Sequence, residues 1–169
     1  MTEASHVGDL VTRLALSHPE VSFRFINNGQ VKLHTSGNGN LKDVIYHIYG
    51  REIASNLIEV DFERKGIHIT GYLGKPLISR GNRNFENYFV DGRYIKSNII
   101  SKAIEDGYKD FTMQHKYPFV VLYLDVDTEH VDVNVHPTKM DVRFNNQQEI
   151  YNTLFAAVDD GLHERELIL

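Results

Sequence analysis

A chain of 169 residues with 41% hydrophobic and 24% charged residues has the composition of one globular domain with its own core, not of a disordered segment. A formal charge of −5 and a pI near 6.0 exclude a surface that grips nucleic acid all over, so any DNA contact must be a local patch. The lack of cysteine excludes disulfides, thiolate zinc sites and cysteine nucleophiles; no apolar run reaches membrane-span length and no signal-peptide pattern opens the chain, so a soluble cytoplasmic protein without membrane contact is expected.

Thr2 is placed to cap a helix running to about Ser17, with Val7, Leu10, Val11 and Leu14 on one face. Val21, Phe23 and Phe25 alternate as a strand, and Asn27-Asn28-Gly29 turns it into a second strand from Gln30 to Thr35. Ser36-Gly37-Asn38-Gly39-Asn40 reads as a loop, with Asn40 capping a helix whose face is Leu41, Val44, Ile45, Ile48 and Tyr49. A helical turn follows near Ile53 and Ala54. Ile58, Val60 and Phe62 alternate with acids, and Gly66 returns the chain through Ile67 and Ile69 as an antiparallel partner. Residues 75–84 form a loop. Phe85 to Val90 and Arg93 to Lys96 flank Asp91-Gly92, a hairpin signal. Ser97 caps a helix with Ile99, Ile100, Ala103 and Ile104 inside. Phe119 to Val126 is apolar on both faces and predicts a central strand. Val131 to Val135 is a further alternating strand, and Val142 to Phe144 another short apolar run. Asn146 and Glu149 have capping-box spacing before a last helix with Ile150, Leu154, Val158 and Leu162 inward. The order predicts an α+β fold, a mixed β-sheet with packed helices, as a single domain over 1–169.

Several residues invite a chemical reading. Pro137 ends the strand Val131–Val135, because it cannot donate to a ladder and biases His136 away from helix. Lys139 then stands on a short connection with a rigid base. A solvated loop lysine is one reading; a point charge aimed at a phosphate is the other. The loop Ser36–Asn40 opens a helix but matches neither a Walker loop nor a dinucleotide fingerprint, and a capped turn explains it. Between Lys75 and Lys96, five basic residues (Lys75, Arg80, Arg83, Arg93, Lys96) face two acids (Glu86, Asp91), a net of +3, and Lys102 extends this island. Ordinary hairpin surface charge is the alternative. The nine histidines include no HxxxH or HExxH pair, and the run Asp125, Asp127, Glu129, Asp132 lacks the glycine and spacing of a calcium loop, so no metal site is expected.

Asn134-Val135-His136-Pro137-Thr138-Lys139 with Val142-Arg143-Phe144 resembles the signature of the MutL family of DNA mismatch-repair proteins. Asn82-Arg83-Asn84-Phe85 with Phe89-Val90-Asp91-Gly92-Arg93-Tyr94-Ile95, and Asp43-Val44-Ile45 with Ile48-Tyr49-Gly50, resemble further stretches of that family. The resemblance implies the second, transducer domain of a bacterial member, covering about residues 3 to 160, with a ribosomal-protein-like fold and a left-handed βαβ crossover. It implies that the GHKL-type ATPase domain and the C-terminal dimerisation domain lie outside this chain. On that basis the fragment alone is no enzyme, holds no catalytic residue and binds no cofactor, whereas the intact protein uses ATP and Mg. Lys139 would contact the γ-phosphate there. Arg83, Arg93, Lys96 and Lys102 become candidates for weak, non-specific DNA binding by phosphate neutralisation. The family's DNA-contacting arginine aligns with Asn98, which carries no charge. Implied partners are DNA, a MutS-type mismatch-recognition protein, a downstream nuclease or helicase, and a second copy of the intact protein. A type II topoisomerase transducer domain is an alternative, disfavoured because Pro137-Thr138-Lys139 replaces that family's Gln-Thr-Lys. A small-molecule kinase of related fold is another, and lacks a convincing phosphate loop.

Overall fold

A computed structural model describes residues 3–127, 144 and 146–167. The expected strand Val131–Val135, the loop bearing His136 and Lys139, and Glu129 and Asp132 of the acidic run lie outside these residues. The chain divides into two compact units, Met1–Ser55 and Asn56–Leu169.

The first unit contains α1 (Glu3–Ser17), the antiparallel pair β1 (Arg24–Asn27) and β2 (Gln30–His34), α2 (Leu41–Tyr49) and α3 (Arg51–Ala54). Its turn at Asn28-Gly29 has positive φ at both residues, the geometry that suits the twist of a hairpin. Strand β1 starts later than the alternation predicts. Phe23 is instead held by Thr35, whose hydroxyl accepts from the Phe23 amide at 2.9 Å and whose amide donates to the Phe23 carbonyl at 2.9 Å. A larger difference concerns α1. The expected inward residues Val7, Leu10 and Leu14 are exposed, whereas Ala15 and Leu16 are fully buried. The apolar stripe is real, but the small core of this unit, with Leu33, Leu41, Val44 and Ile45, covers only the end of the helix.

The second unit is a five-stranded sheet in the order β3-β4-β7-β5-β6, from β3 (Leu57–Arg64), β4 (Ile67–Gly74), β5 (Glu86–Val90), β6 (Arg93–Tyr94) and β7 (Val120–Val126). The β5–β7 pair is parallel and the other pairs are antiparallel, so the sheet is mixed as expected. The chain passes from β5 to β7 through β6 and α4 (Asn98–Tyr108). Strand β7 is third of five and buries both faces, which explains its continuous apolar sequence. Alternation on β3, β4, β5 and β7 aims Val60, Ile69, Leu73, Val90, Leu122 and Leu124 into one core with α4 and α5 (Gln147–Leu167). The predicted inward residues Ile150, Leu154, Val158 and Leu162 of α5 all lie in that core. The Asn146 side chain caps α5 by accepting from the Glu149 amide at 3.2 Å; the Glu149 carboxylate does not complete a capping box but pairs with Lys65 at 3.2 Å. Helices α4 and α5 touch closely at Gly107, where a Cβ would stand 2.6 Å from Val158 Cγ1. Among the described residues no helix is long and apolar enough to cross a membrane.

Candidate nucleic-acid interface

The basic island gathers at the start of α4. Ser97 caps the helix, its hydroxyl accepting from the Ile100 amide at 3.3 Å. Tyr88 on β5 fixes this cap from below: its hydroxyl accepts from the Ser97 amide at 2.9 Å, donates to the Ser97 carbonyl at 3.0 Å and lies 2.8 Å from the Ser101 hydroxyl. The first turn is therefore held rigidly to the sheet, with its unbonded amides at the positive end of the helix dipole.

Two cavities adjoin here. One of about 460 Å³ is lined by Lys96, Ser97, Asn98, Ile99, Lys102, Phe144 and Gln147. The other, of about 500 Å³, is lined by Arg83, Asn98, Ser101, Lys102, Glu105 and Asp106. Asn98 and Lys102 belong to both. Three of the four candidates, Arg83, Lys96 and Lys102, thus meet in one region, and the uncharged Asn98 sits between them. Arg93 is exposed on β6 opposite Val90 and lines neither cavity.

The cations are not equivalent. Arg83 is held in a fork by Glu105, with Nε 2.8 Å from Oε2 and Nη2 3.2 Å from Oε1, and its guanidinium lies 4.4 Å from the centre of the Tyr117 ring. Lys102 pairs with Asp106 at 3.4 Å, and Asp106 also accepts a short hydrogen bond from Tyr151. For Lys96 no ion pair is seen among the described residues. Arg80 is built into its loop: its backbone exchanges two hydrogen bonds with Tyr117, each of 2.7 Å, and its guanidinium lies over Phe85. Counting charges along the sequence therefore overstates the island on the side of Arg80 and Arg83.

It also miscounts Glu86. This residue shares the parity of Tyr88 and Val90 on β5, so its side chain points beneath α4 and is only 7% exposed. Its carboxyl lies beside the Glu105 carboxylate and the Ser101 hydroxyl, without a close donor bonded to either oxygen. Burial, reinforced by Glu105 beside it, pushes its pKa up to about 9, and Arg83 offsets this only in part. Burial and Glu105 thus favour the protonated, uncharged form of Glu86. Its parity with Tyr88 and Val90 was the one sequence signal that could have placed it inside; nothing in the sequence pairs Arg83 with Glu105, 22 residues away.

The glycine loop before α2 is a capped turn. The Asn40 side chain accepts from the Asp43 amide at 3.3 Å, and the Asp43 carboxylate accepts from the Ser36 hydroxyl at 2.9 Å and from Asn38 at 3.4 Å. Gly37 has φ +74°, and a Cβ there would lie 2.7 Å from the Ser22 amide nitrogen. The helix start already holds an anion, Asp43, which leaves no place for a phosphate. Among the described residues no group of three histidines or carboxylates is placed to hold a metal.

The description "DNA mismatch repair protein, C-terminal domain" fits residues 45–163. The DNA mismatch repair protein MutL of Agathobacter rectalis is 59% identical over 167 residues, 99% of this chain and 26% of that protein. MutL of Clostridium acetobutylicum is 44% identical over 95% of this chain and 26% of its own length, and MutL of Thermoanaerobacter pseudethanolicus 36% identical over 99% and 27%. The chain thus spans about a quarter of the length of these bacterial relatives. Among solved structures, the N-terminal domain of a DNA repair protein superposes with a TM-score of 0.79 at 20% identity, covering 96% of this chain and 54% of that one. A variant of the Aquifex aeolicus MutL ATPase domain gives 0.61 at 17% identity, covering 92% and 51%. These two likenesses concern the fold; the sequence relatives concern descent. The chain belongs to the MutL family of DNA mismatch repair proteins.

Proposed function

We propose that this chain is the part of a MutL protein that links the nucleotide state of an adjoining ATPase domain to a weak, sequence-independent hold on DNA. The observation that carries the DNA reading is the convergence of Lys96, Asn98 and Lys102 on two adjoining cavities at the rigid first turn of α4. Lysines at a helix N-terminus recognise phosphate and not base identity, so binding is non-specific and driven by counterion release. Arg93, on the neighbouring hairpin, extends the contact. ATP and Mg belong to the intact protein, where Lys139 serves the γ-phosphate; mismatch recognition falls to a MutS-type partner, and a nuclease or helicase acts downstream of a dimeric parent.

The first unit fits this reading as a portion of the adjoining ATPase domain. Seven of the nine large apolar side chains exposed among the described residues belong to it: Val7, Leu10, Leu14, Val21, Ile26, Val31 and Tyr46. A two-stranded sheet with such a surface is not self-sufficient. The family description moreover begins at residue 45, close to the start of the second unit. Membership of the MutL family sets the topoisomerase and kinase alternatives aside.

The test is binding to short duplex DNA across a salt series. With Lys96, Lys102 and Arg93 neutralising about three phosphates, log K should fall against log salt with a slope of about −3. Lys96→Glu should weaken binding and flatten the slope by about one unit. Salt-independent affinity, or binding that strictly requires a mismatch, would contradict the reading.

A further inference from the structure

The DNA surface contains its own competitor. Arg83 lines the larger cavity beside Asn98 and Lys102, yet its donors are turned onto Glu105 in the forked geometry with which arginine also takes a phosphate. The Tyr117 ring supports the guanidinium from another side at 4.4 Å. Beneath this pair lies Glu86, buried, its carboxyl beside Glu105 and Ser101. The ionisable groups that face Glu86 are Glu105 and Tyr108 on α4, Tyr88 on its own strand, and Arg83 from the loop before β5.

We propose that Glu105 holds Arg83 in reserve, and that a DNA phosphate engages Arg83 by displacing the Glu105 carboxylate. This rests on the DNA reading above and adds to it a latent contact with a built-in brake. The exchange substitutes one bidentate anion for another, so Arg83 is never left unpaired. Tyr117 keeps the guanidinium in place while the partner changes. The released carboxylate also has somewhere to go. Burial and Glu105 favour the protonated form of Glu86, whose carboxyl already lies against the Glu105 carboxylate and can hold it when Arg83 turns away. No covalent bond changes and no proton leaves the pair. Glu105 thus already stands between Arg83 and Glu86, and leaving Arg83 only strengthens a contact it has. Arg83 then adds its charge only where DNA already sits on Lys96 and Lys102, which favours continuous duplex over scattered anions.

The experiment compares duplex-DNA binding by the chain and by Glu105→Gln, Arg83→Gln, the double variant, and Asp110→Asn as a control for the loss of one negative charge. Glu105→Gln should tighten binding about tenfold at low salt, as one freed charge-assisted contact implies, and steepen the log–log salt slope by about 0.9. Arg83→Gln alone should change affinity by less than about twofold, because the contact it removes is held in check, and should abolish the gain when added to Glu105→Gln. If Glu105→Gln does no more than Asp110→Asn while the parent chain keeps its salt-dependent binding, the reserve proposal falls and the DNA reading stands. If neither the parent nor Glu105→Gln binds DNA in a salt-dependent way, both fall. Should Glu105→Gln fail to fold, the Arg83 Nε–H resonance of the parent decides: a shift on saturation with DNA supports the exchange, and an unchanged resonance overturns it.

Discussion

A carboxyl buried beneath a helix is pushed toward its protonated form, and Glu86 is such a carboxyl. Its pKa is pushed up to about 9, chiefly by burial, from an ordinary value near 4.5. The sign of the linkage follows. Between those two values the folded state binds more protons than the unfolded one, so stability is greatest on the acid side and declines as pH rises toward 9. Urea midpoints measured from pH 5 to pH 9 should therefore fall, and Glu86→Gln, which carries a neutral side chain of the same shape, should lose much of that decline. An identical decline in the variant would remove Glu86 as its cause. At this scale the sequence was only partly legible. It placed Arg83, Lys96 and Lys102 in one basic island; in the structure Lys102 lines one cavity with Lys96 and the adjoining one with Arg83. It could not show that Arg83 is engaged by Glu105 or that burial favours the uncharged form of Glu86, because both depend on how α4 lies over β5.

At the scale of elements, local chemistry was a good guide wherever a residue's role is fixed by its immediate neighbours. Asn28-Gly29 and Asp91-Gly92 adopt the paired positive φ that hairpins demand. Asn40, Ser97 and Asn146 cap the helices they precede. The inward stripes of α2, α4 and α5 follow the 3.6-residue period. The stripe of α1 shows the limit of such reasoning: periodicity identifies an apolar face but not the surface that covers it. Helix pairing was equally hidden. Gly107 is a poor helix residue on propensity alone, yet α5 approaches so closely that a side chain there would drive into Val158. Gly107→Val should consequently destabilise the second unit by ~1–3 kcal/mol, despite the better helix propensity of valine, through overpacking. A thermal midpoint equal to the parent's would show that the two helices can spread apart without cost.

On the scale of the whole molecule, the chain forms two compact units that meet in sequence near Ser55, a division that composition and length do not reveal. Length does not reveal such a division, and the exposed apolar side chains of α1, β1 and β2 become visible only once burial is known. The role proposed for Lys139 belongs to this scale as well, because it needs a nucleotide held by another part of the protein. Loss of a charge-assisted phosphate contact is worth roughly 1.5–3 kcal/mol. Lys139→Ala in the intact protein should thus slow ATP turnover about ten- to a hundredfold. Near-normal turnover would refute the role.

Asp91 does more than turn a hairpin. Its side chain accepts from the Val126 amide at 3.0 Å, and its own amide donates to the Leu124 carbonyl at 2.9 Å. The tip of the β5–β6 hairpin is thereby clamped to the last residues of β7, from which the chain runs on toward Lys139. Two hydrogen bonds thus tie the hairpin that carries Arg93 directly to the end of β7. Asp91 is the rivet between the end of β7 and the strand pair for which DNA contact is proposed.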